Sequence, residues 1–271
     1  FIIIYFVIVA FILSMIAILY YSTTNRILYN IVANDTVDIL KKINLVVDKK
    51  FELIREYSNG LLVDNDLMNY LDTYYATDNV IEIYEVDRYV SKLLKKYFLY
   101  SNEIFSTNLV TKRTVFGQTA YPTIIPVENF EKTEVYRLAV EARRKTVWIP
   151  TYDFFEMFSQ KYVPSVNTPY QKVFSAVKLI DRQGDDYAIL VLNFSDDIFR
   201  KNFPVTSNYA NAKYLVVSPD GTIVSHSDQT LLGTKLEEEW LKDAIRERSG
   251  YKTAEIDGKS YIICFDTSEE T

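Results

Sequence analysis

The chain has 271 residues, 48% of them hydrophobic and 24% charged, which is the balance of a folded rather than a disordered protein. With 7 Gly, 7 Pro and 1 Cys, it is not collagen-like, low-complexity or a disulfide scaffold. A net charge of −6 argues against a nucleic-acid binder and against a body that sits on anionic lipid. The charges are unevenly placed, since none occurs before Arg26.

Phe1 to Tyr21 reads FIIIYFVIVAFILSMIAILYY, interrupted only by Ser14. At about 1.5 Å per residue a helix of this length covers roughly 31 Å, the thickness of the hydrocarbon layer of a bilayer. No small-residue cleavage pattern follows Tyr21, so a transmembrane helix over 1–21 is expected rather than a removable signal. The chain starts at Phe1 without Met and without a basic flank, and the expectation is that sequence precedes it.

From Thr24 to about Ser58 neither Pro nor Gly occurs. Ile39, Ile43, Val47, Phe51, Ile54 and Tyr57 recur every three or four residues between charged positions. The spacing predicts a long amphipathic helix, able to continue the membrane span and stopped at Asn59-Gly60. Such a helix either packs along a domain or pairs with a copy of itself, and a homodimer through the N-terminal helices is expected. Shorter helices are predicted over Asp64–Tyr75 and Ile83–Leu99, completing a helical connector over 22–100.

The period then changes. Glu103–Val110 reads as a strand, Phe116-Gly117 as a turn, Phe130–Lys145 as a helix, and Thr146–Ile149 as a short strand stopped by Pro150. Lys172–Ile180 and Asp186–Phe194 form a hairpin, and the second strand, apolar on both faces, is expected to be central. Ser195 is placed as the cap of a helix over Asp196–Phe203. The pattern restarts with strands at Tyr214–Ser218 and Thr222–Ser225, a helix over Leu236–Arg248, and strands at Gly250–Ile256 and Ser260–Phe265. The predicted fold class is α+β: a transmembrane helix, a long amphipathic helix, then two tandem PAS-like antiparallel-sheet units, 101–204 and 205–271. The second unit stops early, so the chain is expected to be a piece of a longer one, with another apolar run after Thr271.

Three stretches carry a family resemblance: Trp148-Ile149-Pro150-Thr151-Tyr152, the strand–Gly-loop–strand from Lys172 to Phe194, and VVSPDGTI at 216–223 followed by Leu232-Gly233. Together with the anchor and long helix they resemble a double Cache sensory domain, most closely the ectodomains of YesM-like sensor histidine kinases. The resemblance implies a receptor whose extracytoplasmic part binds a small molecule in the membrane-distal unit and passes a displacement along its helices. Chemoreceptors, cyclic-dinucleotide enzymes and membrane-bound AraC-type regulators carry similar ectodomains.

For the ligand site the candidates are Trp148, Tyr152, Tyr170, Ser175 and Asn193, aromatic rings to cover a small molecule and polar groups to orient it. Amino-acid-binding members of the family show an Arg shortly before a Trp-Tyr pair. Here Arg143 and Arg144 stand five and four residues before Trp148, Ile149 replaces the Tyr, and Lys172 stands two positions after Tyr170 where an Asp would be expected nearby. An amino acid as ligand is therefore not supported by these motifs, nor is a sugar, and the ligand class stays open. No catalytic residue, metal or cofactor is expected. His226, the only histidine, sits in Ser225-His226-Ser227-Asp228, where neighbours on a strand point to opposite faces and cannot assemble a triad. A solvated turn is expected there. Cys264 reads as a buried strand residue, and Glu237-Glu238-Glu239 with Arg246 and Arg248 as a solvated helix with complementary ends. A membrane-anchored surface hydrolase and an adhesive ectodomain are the readings of other classes.

Overall fold

The computed structural model describes residues 2–98, 104–117, 125–161, 171–182, 185–203, 212–256 and 258–269. It opens with a single helix, α1 (Ile2–Leu62), so that the apolar start and the amphipathic stretch are one continuous element. The helix also runs past Gly60, where a Cβ would meet the Tyr97 ring at 3.2 Å. Its first part is long and apolar enough to cross a membrane, and the apolar window is not buried within the protein.

Two compact units are distinguished. One consists of Phe1–Val46 and Glu238–Glu269. It holds helix α7 (Glu239–Glu247) and the hairpin β8 (Ser249–Ile256) and β9 (Lys259–Asp266). The hairpin lies along α1: Asn44 Nδ2 donates to the Asp266 carboxylate at 2.8 Å, and Tyr29 meets Thr253 Oγ1 at 2.5 Å. Cys264, half-buried on β9, points its thiol at the Ala33 carbonyl at 3.6 Å. Burial pushes that thiol above its ordinary pKa, so it stays protonated and unreactive at neutral pH.

The other unit is built on Val47–Glu237. After α2 (Asn65–Ala76), capped by Asp64 accepting from the Leu67 N–H, and α3 (Val80–Phe98) comes a five-stranded antiparallel sheet. Its strands are β1 (Ile104–Val110), β2 (Val115–Phe116), β3 (Val147–Asp153), β4 (Lys172–Arg182) and β5 (Asp185–Phe194), in the order β2-β1-β5-β4-β3. The apolar β5 is central, as its composition implies. Phe116, read as a turn, is instead in β2, and the helix read over Phe130–Lys145 is a 3-10 turn (Phe130–Lys132) followed by α4 (Glu134–Ala142), with Thr133 capping it.

Pro150 does not stop β3, which continues to Asp153. The strand is at the sheet edge and pairs only with β4, so the missing N–H breaks no second ladder. The register with β4 shifts between Ile149 and Tyr152 instead, a bulge rather than an end. Beyond β3 lies α5 (Phe154–Met157), capped by Asp153, and beyond β5 lies α6 (Asp197–Arg200), whose N-cap position is Asp196 rather than Ser195 and which is shorter than the Asp196–Phe203 expected. The short strands β6 (Leu215–Val217) and β7 (Ile223–His226) pair in a sheet of their own.

The main apolar core covers one face of the five-stranded sheet. Ile149, Val173, Val177, Leu179, Ile189 and Val191 point into it, and Phe130, Val135, Ala139, Phe154, Phe155 and Phe158 cover them. On the opposite face Phe174, Phe194 and Trp148 pack against Phe51 of α1.

Candidate functional site

The register of the sheet brings polar side chains into a row. Ser106 of β1 is opposite Asn193 of β5, and Asn193 is opposite Ser175 of β4. Paired residues share a face, and this is the face of the main core, because Val173, Val177 and Val191 lie on it two positions away. Tyr152 reaches the same row from β3. Strict alternation from Ile149 would turn Tyr152 to the other side. The bulge at Pro150-Thr151 resets the alternation and delivers the ring over Ser175. Thr151 in turn points away and donates to the Val224 carbonyl at 3.1 Å.

The resulting hydrogen bonds cross four adjacent strands. The Tyr152 hydroxyl lies 2.7 Å from Ser175 Oγ and donates to Asn193 Oδ1 at 3.1 Å. Ser175 Oγ donates to the same oxygen at 2.6 Å. Asn193 Nδ2 then donates to Ser106 Oγ at 2.8 Å, and Asn108 Nδ2 reaches Ser106 Oγ at 3.3 Å. Ser106, Asn108, Ser175 and Asn193 are all buried. Burial pushes the Tyr152 phenol well above its ordinary pKa against the opposing pull of the Ser175 hydrogen bond, so it is a neutral donor. The row is therefore made of neutral groups enclosed by aliphatic and aromatic side chains.

Of the five residues expected from the sequence, the structure brings Tyr152, Ser175 and Asn193 together. Trp148 is not with them. It lies on the opposite face, 4.3 Å from the Phe51 ring centre and 5.8 Å from that of Phe194. Tyr170 lies outside the described residues. Ser106 and Asn108 were not anticipated. Their signal was the pair of polar residues two apart in EIFSTNLV, on the side of the strand that continues to Val110.

His226 is buried rather than solvated, with 8% of its surface exposed at the end of β7. Its Nδ1 accepts the Asp228 N–H at 2.7 Å, while the Asp228 carboxylate accepts from the N–H and hydroxyl of Thr230. The histidine ring thus meets the Asp228 backbone, while the Asp228 carboxylate is committed to the turn and makes no hydrogen bond to the ring among the described residues. Among the described residues no group of three or more His, Cys, Asp and Glu could hold a metal ion. A concavity of about 330 Å³ opens further along β1, with Val110, Phe130, Lys132, Tyr136, Leu179 and Ile189 in its wall.

The architecture is that of solved receptor domains. The sensory domain of the Campylobacter jejuni chemoreceptor Tlp3 with isoleucine bound is 14% identical, with 90% of this chain and 91% of that one covered and a TM-score of 0.56. The ligand-binding domain of the Pseudomonas aeruginosa amino acid chemoreceptor PctB in complex with L-Gln is 17% identical, with 86% and 84% covered and a TM-score of 0.55. That of the Pseudomonas fluorescens chemoreceptor CtaA in complex with L-alanine is also 17% identical, with 89% of each chain covered and a TM-score of 0.52. No protein-family model and no curated protein sequence matches the chain. The fold is thus that of chemoreceptor ligand-binding domains of the double Cache type: a long N-terminal helix followed by antiparallel sheets.

Proposed function

We propose that the chain is the extracytoplasmic small-molecule-sensing domain of a membrane-anchored receptor, with the apolar start of α1 as its anchor. The observation that carries this reading is the neutral hydrogen-bonded row across four strands, on the core-facing side of a sheet whose architecture chemoreceptor ligand-binding domains share. All its members fall in 101–204, the unit we take as membrane-distal, with 205–271 as the proximal one. The ligand class we infer is a small amino compound, after the isoleucine, glutamine and alanine held by the similar domains.

The structural likenesses favour a chemoreceptor as the source of the domain over the YesM-like histidine kinase that the sequence motifs resemble. The sequence following Thr271 separates the two: both require a second apolar run of about 20 residues, followed by long methyl-accepting helices in one case and by a phosphoacceptor helix with an ATP-binding region in the other. Pairing of two copies along α1 belongs to the same proposal, since Ile39, Val46 and Leu53 recur every seven residues on an exposed stripe.

The test is thermal unfolding of the full chain in detergent micelles against L-isoleucine, L-alanine, L-glutamine and L-arginine, with sugars and organic acids alongside. A ligand at 100 times its Kd adds about 2.7 kcal/mol and raises the melting temperature. A flat response to the whole panel overturns the sensing reading, and a response to sugars or organic acids alone overturns the amino-compound class.

A further inference from the structure

The hydrogen-bonded row is complete at one end and open at the other. At the Tyr152 end two hydroxyls converge on Asn193 Oδ1. At the Asn108 end the pairing runs out. Asn108 is 0% exposed, its Nδ2 donates to Ser106 Oγ, and its Oδ1 has no hydrogen-bond partner among the described residues. Ser106 Oγ already accepts two amide N–H groups, so its own proton remains for a further acceptor, and none is found among the described residues. Turning the Asn108 amide over would let Ser106 donate to its carbonyl, but would strand the two N–H of the amide. With either rotation Asn108 keeps a buried polar group that no described residue satisfies.

A buried amide left half-paired is costly unless something else completes it. The sheet around it offers Val110 and Val191 on the same face and no further polar group of the row. Among the described residues the missing partner is not found.

Resting on the sensing reading, we propose that Asn108 reads the ligand: its side-chain carbonyl accepts an N–H of a small amino compound, while the Ser106 hydroxyl donates to an acceptor on the same molecule. Asn193 is then a positioning residue, holding Ser106 so that its proton faces the ligand. This differs from recognition by a charged side chain, because the groups offered by this end of the row are neutral. An uncharged acceptor in a dry site selects for the presence of the N–H itself, since a ligand without it leaves the carbonyl unpaired.

The experiment measures binding by calorimetry on the full chain in detergent micelles, with L-isoleucine and L-alanine as probes and 3-methylpentanoate and propanoate as their counterparts without nitrogen. The expected result is that the amino probe binds the wild type about tenfold or more tightly than its counterpart. Asn108→Leu is expected to lose that preference while melting no lower than the wild type, because the orphaned carbonyl is gone. Equal binding of a probe and its nitrogen-free counterpart, or a preference that survives in Asn108→Leu, overturns the inference while leaving the sensing reading standing. An Asn108→Leu protein that melts below the wild type also overturns it, by showing the amide to be satisfied within the fold. If that variant does not fold, Asn108→Asp decides: it retains the acceptor and should bind the amino probe at least as tightly as the wild type, and weaker binding overturns the inference. If neither these probes nor the sugars and organic acids bind the wild type, the sensing reading falls and this inference falls with it.

Discussion

The two faces of the five-stranded sheet are made by the same strands and do opposite things. On one, Ser106, Asn193, Ser175 and Tyr152 form a hydrogen-bonded row set into an apolar core. On the other, Trp148, Phe174 and Phe194 stack with Phe51 and Phe199, and the aromatic layer fixes helix α1 to the sheet. β4 shows the division most plainly. Ser175 belongs to the row, and three positions on, Lys178 emerges on the other side, 2% exposed, with its ammonium donating to Asn59 Oδ1 at 2.5 Å and to Thr146 Oγ1 at 3.3 Å. Strand alternation thus gives β4 one contact with the row at Ser175 and one with α1 at Asn59. On the proposed reading the ligand is met on the face of the row, while the aromatic layer on the other face holds α1 to the sheet.

That division is broken most sharply by Phe51→Ala. Deleting a fully buried ring from the aromatic layer should cost about 3–5 kcal/mol, read by chemical denaturation, while the ligand response at a temperature where the variant is folded should persist. Loss of both together would mean that the faces are not separable. Lys178→Met comes next. The swap keeps volume, so its effect at pH 7 should stay under about 1.5 kcal/mol, and the signature is in the pH profile. Burial and the nearby Arg55 guanidinium hold the Lys178 pKa below its ordinary value. Between that depressed value and 10.5 the unfolded chain binds more protons than the folded one, so this group makes the wild type gain stability as pH rises, a gain lost again as pH falls through the folded pKa. Lys178→Met should lack that slope; parallel profiles would show that the ammonium is not penalised. On the polar face, Tyr152→Phe should cost about 0.5–1.5 kcal/mol, since Ser175 still donates to Asn193 after the phenol is gone. A larger loss would show that the phenol, and not Ser175, organises the row.

Much of this was legible in the sequence, and the limits have physical causes. The apolar character of Ala188–Phe194 announced a central strand, because only a strand covered on both faces needs no polar side. Ser175 and Asn193 could be chosen because they lie on strands that the sequence already paired, whereas Tyr152 was placed beyond a strand end that the structure replaces with a bulge. Ser106 and Asn108 could not, because the pairing of β1 with β5 joins segments more than 80 residues apart, and no local pattern sets that register. Trp148 was grouped with Tyr152 as aromatics of one stretch on either side of Pro150, which ignores the register shift that puts them on opposite faces. His226 read as solvated because its neighbours are polar, yet the burial of a strand end depends on what packs across it.

The smallest effect is expected at the residue that shapes this asymmetry. Pro150 has no N–H to give, and at a sheet edge none is demanded of it. Its removal by Pro150→Ala should cost about 0.4–1 kcal/mol, chiefly by giving the unfolded chain more freedom. The bulge itself should survive, because it is also held from both sides: Thr151 is tied to the Val224 carbonyl, and Tyr152 to Ser175 and Asn193. The ligand response of Pro150→Ala should then match the wild type within error, measured by the same thermal titration. If the response disappears while the melting temperature barely moves, proline alone would be holding Tyr152 on the polar face. The difference between the two faces would then depend on one backbone nitrogen rather than on the side chains that flank it.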